Sequence, residues 1–122
     1  MQYDRPIVAV IEADATDRQT LRSLLSSLDI DVHDYESAES YLASSEEPLV
    51  CLITDVSLPG MSGLDLLRRV RTQDEPPPVI MLGDESDVSA AVAAMREGAA
   101  DFFEKPHIDV SILRRVAYLV AH

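Results

Sequence analysis

With 122 residues the chain has room for one domain, and its 47% hydrophobic but only 5% aromatic residues, with no Trp, require a core of Leu, Ile, Val and Ala. Its 22 acidic against 10 basic residues, a formal net charge of −12, repel phosphate backbones and anionic lipid and exclude direct nucleic-acid binding by this segment. No apolar run approaches the ~18 residues of a membrane span and no basic leader opens the chain, so a cytoplasmic location is expected.

The first predicted strand is the apolar run Ile7 to Ile11, which ends in Glu12-Ala13-Asp14. A helix follows, with Leu21, Leu24, Leu25 and Leu28 on one stripe and Asp14 or Thr16 as its cap. A weaker strand at Ile30 to Val32 leads to a short helix from Ser37 to about Ala43. The third strand, Leu49 to Ile53, runs into Thr54-Asp55. It contains the lone cysteine, Cys51, which reads as a small buried hydrophobe suited to a reducing compartment.

Ser62 opens a third helix with a stripe of Leu64, Leu67 and Val70, and Asp74 to Pro78 breaks it as a loop. The fourth strand, Val79 to Leu82, meets Gly83-Asp84-Glu85. Val88, Val92 and Met95 then form the apolar stripe of a helix that starts near Asp87 and stops at Gly98. Phe102-Phe103 is the fifth strand, running into Glu104-Lys105-Pro106. Val110, Leu113, Ala117 and Val120 give the last helix its stripe behind Asp109.

Five alternations of strand and helix predict an α/β fold, a parallel sheet with helices on both faces and right-handed crossovers. Ligands of such sheets bind beyond the carboxyl ends of the strands. That edge gathers Glu12, Asp14 and Asp55 with one lysine, Lys105. Like charges so close need a counter-ion, and a hard cation such as Mg²⁺ suits oxygen ligands. Taken singly these residues have ordinary readings: Glu12 and Asp14 solvate a turn, and Lys105 forms a surface ion pair. Only their shared position at one edge argues for chemistry.

Asp55-Val56-Ser57-Leu58-Pro59-Gly60-Met61-Ser62-Gly63, an Asp with Pro four and Gly eight residues later, resembles the receiver signature of two-component response regulators. Gly98-Ala99-Ala100-Asp101-Phe102-Phe103 leading to Lys105-Pro106, and Ser37-Ala38-Glu39, resemble that family's fifth-strand and second-helix motifs, closest to its nitrogen-fixation regulator subgroup. The resemblance covers nearly the whole chain and leads to the expectation that 1–122 is one receiver domain.

The resemblance implies a flavodoxin-like strand order 2-1-3-4-5 and a phosphorelay in which Asp55 accepts a phosphoryl group from a histidine kinase. It also implies Lys105 as the charge-neutralising lysine, and Mg²⁺ on Glu12, Asp55 and the Ser57 carbonyl. Asp14, beside Ala13, is a candidate substitute ligand through a water or a shifted turn, although the family's backbone would point its side chain elsewhere. The expected partner surface is the helix-four, strand-five, helix-five face, for an output domain, a partner protein or a homodimer. A cis Lys105-Pro106 bond is a further expectation, and His107 stands where the family has an aromatic residue.

Two departures stand out. Ala13 replaces the family's second acid, and a methyl group cannot ligate a metal. Gly83 replaces the hydroxyl residue that meets the phosphoryl group and couples to an aromatic, here Phe102, which reads equally well as plain core. The expectation is therefore an atypical or weakened receiver, not an enzyme beyond its own aspartyl phosphorylation and dephosphorylation. The alternative is a degenerate receiver that works as a phosphorylation-independent interaction domain. An enzyme or nucleotide binder at the same edge lacks support, because neither a Gly-rich phosphate loop nor a Ser-His-Asp or Cys-His arrangement is present.

Overall fold

The computed structural model describes residues 5–44, 48–105 and 109–122. The cis Lys105-Pro106 bond and the His107 position lie outside the described residues. In chain order the elements are β1 Ile7–Ile11, α1 Ala15–Leu25, β2 Asp31–Tyr35, α2 Ala38–Ala43, β3 Cys51–Asp55, α3 Gly63–Val70, β4 Val79–Gly83, α4 Val88–Arg96, β5 Asp101–Glu104 and α5 Val110–Ala121. A short 3-10 turn, Glu85–Asp87, leads into α4.

The strands form one parallel sheet in the order β2-β1-β3-β4-β5, as the family resemblance implies. Successive side chains of a strand point to opposite faces, which divides the core in two. Ala9, Leu52 and Met81 face α2, α3 and α4, whereas Val8, Ile53 and Leu82 face α1 and α5. The three central strands are buried on both faces and therefore read as continuous apolar runs. Cys51 lies in that interior, where burial pushes its thiol up to about 12 and keeps it unreactive.

Sequence patterning is weaker at the edges. β2 is longer than Ile30 to Val32 and carries exposed Asp31, His33 and Asp34, the charged character that discourages pairing with another sheet edge. Ser37, Ser62 and Asp109 cap α2, α3 and α5, and Asp14 rather than Thr16 caps α1. Gly98, at φ 101°, ends α4 as expected.

Three helical stripes differ from expectation. In α3, Leu66, Leu67 and Val70 are buried and Leu64 only partly so. In α5, Ile112 and Val116 face the core, while Val110 is exposed. In α4 the stripe is reversed: Val88, Val92 and Met95 are exposed, and Ala94 is buried with Ala90 packed beside it. Small residues let α4 lie close to the sheet, and the bulkier apolar side chains are turned outward.

Candidate functional site

The carboxyl edge of the sheet is built by the ends of four strands. Directly after β1, Glu12 donates its backbone N–H to the Tyr35 carbonyl at 3.0 Å, which ties it to β2. Its carboxylate turns inward and is only 1% exposed, with Oε2 accepting from the Asp14 N–H at 3.0 Å. Arg18 clamps this loop from α1, donating to the Glu12 carbonyl at 2.8 Å and standing 3.7 Å from Asp34.

Asp55 closes β3 and is 4% exposed. The chain beyond it is fixed by bonds from the Val56 N–H to the Leu82 carbonyl and from the Gly63 N–H to the Val56 carbonyl. Gly63 is required there, because a Cβ would overlap the Asp55 carbonyl oxygen. Gly60 adopts φ 76°, and Glu39 from α2 accepts the Met61 N–H at 2.8 Å, which holds the β3–α3 loop against α2. One Asp55 oxygen, Oδ1, accepts from the Ser57 N–H at 3.1 Å.

Lys105 follows β5 and reaches back across the edge. Its ammonium lies 2.8 Å from Asp55 Oδ2, 2.6 Å from Glu12 Oε1 and 2.9 Å from Asp17 Oδ2. Burial by itself lowers the Lys105 pKa, but hydrogen bonds to Asp55, Glu12 and Asp17 outweigh it and hold the lysine above its ordinary value. Burial pushes Glu12 above the usual carboxylate range and the Asp55 charge adds to this, while Lys105 and the Asp14 N–H act in the opposite sense. The pocket is thus a small anionic well that one ammonium neutralises only in part from inside.

Glu12, Asp55 and Lys105 are brought together as the sequence suggests. Asp14 is not: its Oδ1 caps α1 by accepting the Asp17 N–H at 2.9 Å. Ala13 is exposed and offers no donor. Gly83 closes β4, and a Cβ on it would lie 2.7 Å from Phe102 Cζ and 2.9 Å from Asp87 Oδ2. The Phe102 ring and the Asp87 carboxylate therefore crowd the place where other side chains would stand. Asp87 does not cap α4 but accepts the Asp84 N–H at 3.0 Å. Sequence patterning does not single out Asp17 or Arg18. Asp17 was in principle legible as an acid one helical turn beyond a capping Asp, but its target, Lys105, enters from the far end of the chain.

Among the described residues no three His, Cys, Asp or Glu side chains are disposed to hold a metal ion. The donors nevertheless suit Mg²⁺ in kind. Glu12 Oε1 is buried, with the Lys105 ammonium at 2.6 Å as its polar neighbour, and Glu12 and Asp55 supply hard oxygen ligands. The set has two carboxylates rather than three, and water would have to complete it.

Comparison with known proteins places this geometry. Residues 8–117 match the family model of the response regulator receiver domain. The chain is 38% identical over 103 residues to the transcriptional regulatory protein FixJ of Bradyrhizobium diazoefficiens, covering 84% of this chain and 50% of that protein. It is 40% identical over 111 residues to FixJ of Azorhizobium caulinodans, covering 89% and 52%. The chain thus spans about half the length of the curated relatives it matches.

Among solved structures, full-length FixJ from B. japonicum aligns with a TM-score of 0.83 at 32% identity, over 98% of this chain and 59% of that one. A response regulator receiver protein from Pseudoalteromonas atlantica aligns at 0.88 and 31%, over 95% and 98%. No helix among the described residues is long and apolar enough to cross a membrane. From the family match, these relatives and the shared fold, the chain belongs to the response regulator receiver domains of two-component systems, with FixJ-like homologues.

Proposed function

We propose that this chain accepts a phosphoryl group on Asp55 from a histidine kinase, as a receiver with a reduced acidic pocket. The observation that carries this reading is the Lys105 ammonium 2.8 Å from Asp55 Oδ2 at the carboxyl edge of the sheet. A carboxylate nucleophile is ionised at neutral pH. One Asp55 oxygen attacks the phosphorus, and the phosphorus–nitrogen bond to the donor imidazole breaks. The imidazole nitrogen keeps the electron pair and takes up a proton. Lys105 meets the charge on the transferred phosphoryl oxygens, and the Ser57 N–H orients the attacking carboxylate. Glu12, Asp55 and the Ser57 carbonyl would hold Mg²⁺, which when bound supplies further positive charge there.

Two features favour weakened chemistry. Ala13 leaves the cation one carboxylate short, and Gly83 brings no hydroxyl to the phosphoryl group. They also support a second reading, a degenerate receiver that acts through its surface without phosphorylation, because the Phe102 ring already crowds Gly83. Under either reading the partner surface is the α4–β5–α5 face, for an output domain, a partner protein or a homodimer. Exposed Val88, Val92, Met95 and Tyr118 on α4 and α5 are the support for that face. The buried thiol of Cys51 and the acidic surface fit a cytoplasmic setting.

Intact-mass analysis after incubation with acetyl phosphate and Mg²⁺, beside Asp55→Asn, tests the proposal. One phosphoryl mass gained by the wild type and absent from the variant is the expected result. No gain across a wide Mg²⁺ range would transfer support to the degenerate reading.

A further inference from the structure

We propose that Asp17 is a positioning residue, holding the Lys105 ammonium at Asp55 in a receiver whose loop lacks a second acid. An ammonium carries three N–H donors on a flexible four-carbon stem. Three carboxylates meet it here, at 2.6 Å (Glu12), 2.8 Å (Asp55) and 2.9 Å (Asp17). Glu12 and Asp55 stand at the ends of buried strands, with side chains 1% and 6% exposed, and approach the ammonium from within. Asp17 is 37% exposed and approaches from the first turn of α1. Without it, one side of the ammonium is open to water and the stem is free to swing out of the pocket.

The placement of Asp17 is built into the local structure. Asp14 caps α1 by accepting the Asp17 N–H at 2.9 Å, which starts the helix at a fixed distance from Glu12. Arg18, the next residue, holds the Glu12 carbonyl at 2.8 Å. One helical turn thus bonds to the Glu12 carbonyl through the Arg18 side chain and to Lys105 through Asp17. Ala13 places no carboxylate beside Glu12, so the third negative charge around the lysine comes from the helix.

The consequence for phosphoryl transfer rests on the reading of Asp55 as acceptor, but the positioning itself can be measured without it. Lys105 is the only lysine in the chain. Acylation of the full chain with an N-hydroxysuccinimide ester of acetate, mapped by peptide mass to separate the N-terminal amine, therefore reports one side chain. Asp17→Asn keeps the shape and removes the charge. Loss of a partly exposed ion pair predicts Lys105 acylation faster by about two- to five-fold. Asp17→Glu is expected to restore slow acylation.

Asp65→Asn is the control, because Asp65 is also an exposed acid in the first turn of a helix but pairs with Arg68. It is expected to leave the Lys105 rate at the wild-type value. An unchanged rate in Asp17→Asn, or an equal rise in Asp65→Asn, overturns the inference. The same samples treated with acetyl phosphate separate the two readings. If the wild type gains no phosphoryl mass while the acylation pattern holds, the acceptor reading fails and the positioning stands. If it gains one, slower gain in Asp17→Asn with recovery in Asp17→Glu extends the positioning to the chemistry.

Discussion

Substituting Gly83 by Ala tests how the end of β4 is packed, and its cost can be worked from the contacts. The added methyl carbon would lie 2.7 Å from Phe102 Cζ, 2.9 Å from Asp87 Oδ2 and 3.1 Å from Asp87 Cβ. All three are well inside the ~3.5–4.0 Å optimum for non-bonded carbon contacts. Overpacking of this kind costs roughly 1–3 kcal/mol. The backbone does not resist, because Gly83 lacks a positive φ and its replacement reduces unfolded-state entropy, a gain of about 0.4–1 kcal/mol. The net expectation is a loss of roughly 0.5–2 kcal/mol.

Phe102→Ala removes the ring and leaves space that the new methyl group partly fills. Gly83→Ala should then cost less beside Phe102→Ala than alone, with a coupling of about 1 kcal/mol. Urea unfolding followed by far-ultraviolet circular dichroism for the four members of the cycle measures this. At a slope of ~1–3 kcal/mol per molar, the single variant shifts the midpoint by several tenths of a molar. Stabilisation by Gly83→Ala together with additivity in the cycle would refute the contact, and with it the idea that the ring occupies the place of a side chain on β4.

Gly63→Ala should be more damaging, since the clash is with the backbone of Asp55 and Val56, which cannot rotate away; a loss near 3 kcal/mol is expected. A loss below about 1 kcal/mol in urea unfolding contradicts so tight an approach. Asp14→Ala removes the α1 cap and should cost about 1 kcal/mol, and retention of full stability would mean that the cap contributes nothing. Glu39 is held below its ordinary value of 4.5 by the Met61 N–H. A lowered carboxylate contributes stability above that value and loses it as pH falls through the folded-state pKa. The stability difference between wild type and Glu39→Gln should therefore shrink from pH 6 toward pH 3, and a pH-independent difference would exclude the charge-assisted bond.

Much of the fold is legible locally. Apolar runs of about five residues bounded by turns mark β1, β3 and β4, because strands buried on both faces need no alternation. Ser37, Ser62 and Asp109 are read correctly as caps, since a short polar side chain satisfies the first free N–H groups of a helix wherever it occurs. Glu12, Asp55 and Lys105 are found from strand ends and spacing. The faces of α4 and α5 are not, because an apolar stripe tells which side could be buried and not which neighbour will cover it. In α4 close approach to the sheet selects alanines over Val88, Val92 and Met95.

By itself the sequence determined the alternation of strands and helices, their caps and the Asp55 loop, all of which depend on contacts between residues close in the chain. The tertiary structure alone decided that Lys105, fifty residues beyond Asp55, also meets Asp17, that Asp14 is used up as a cap, and that Phe102 fills the space beside Gly83. Those pairings follow from the order in which strands lie side by side and from the volume left between them. Neither quantity is written in any single segment.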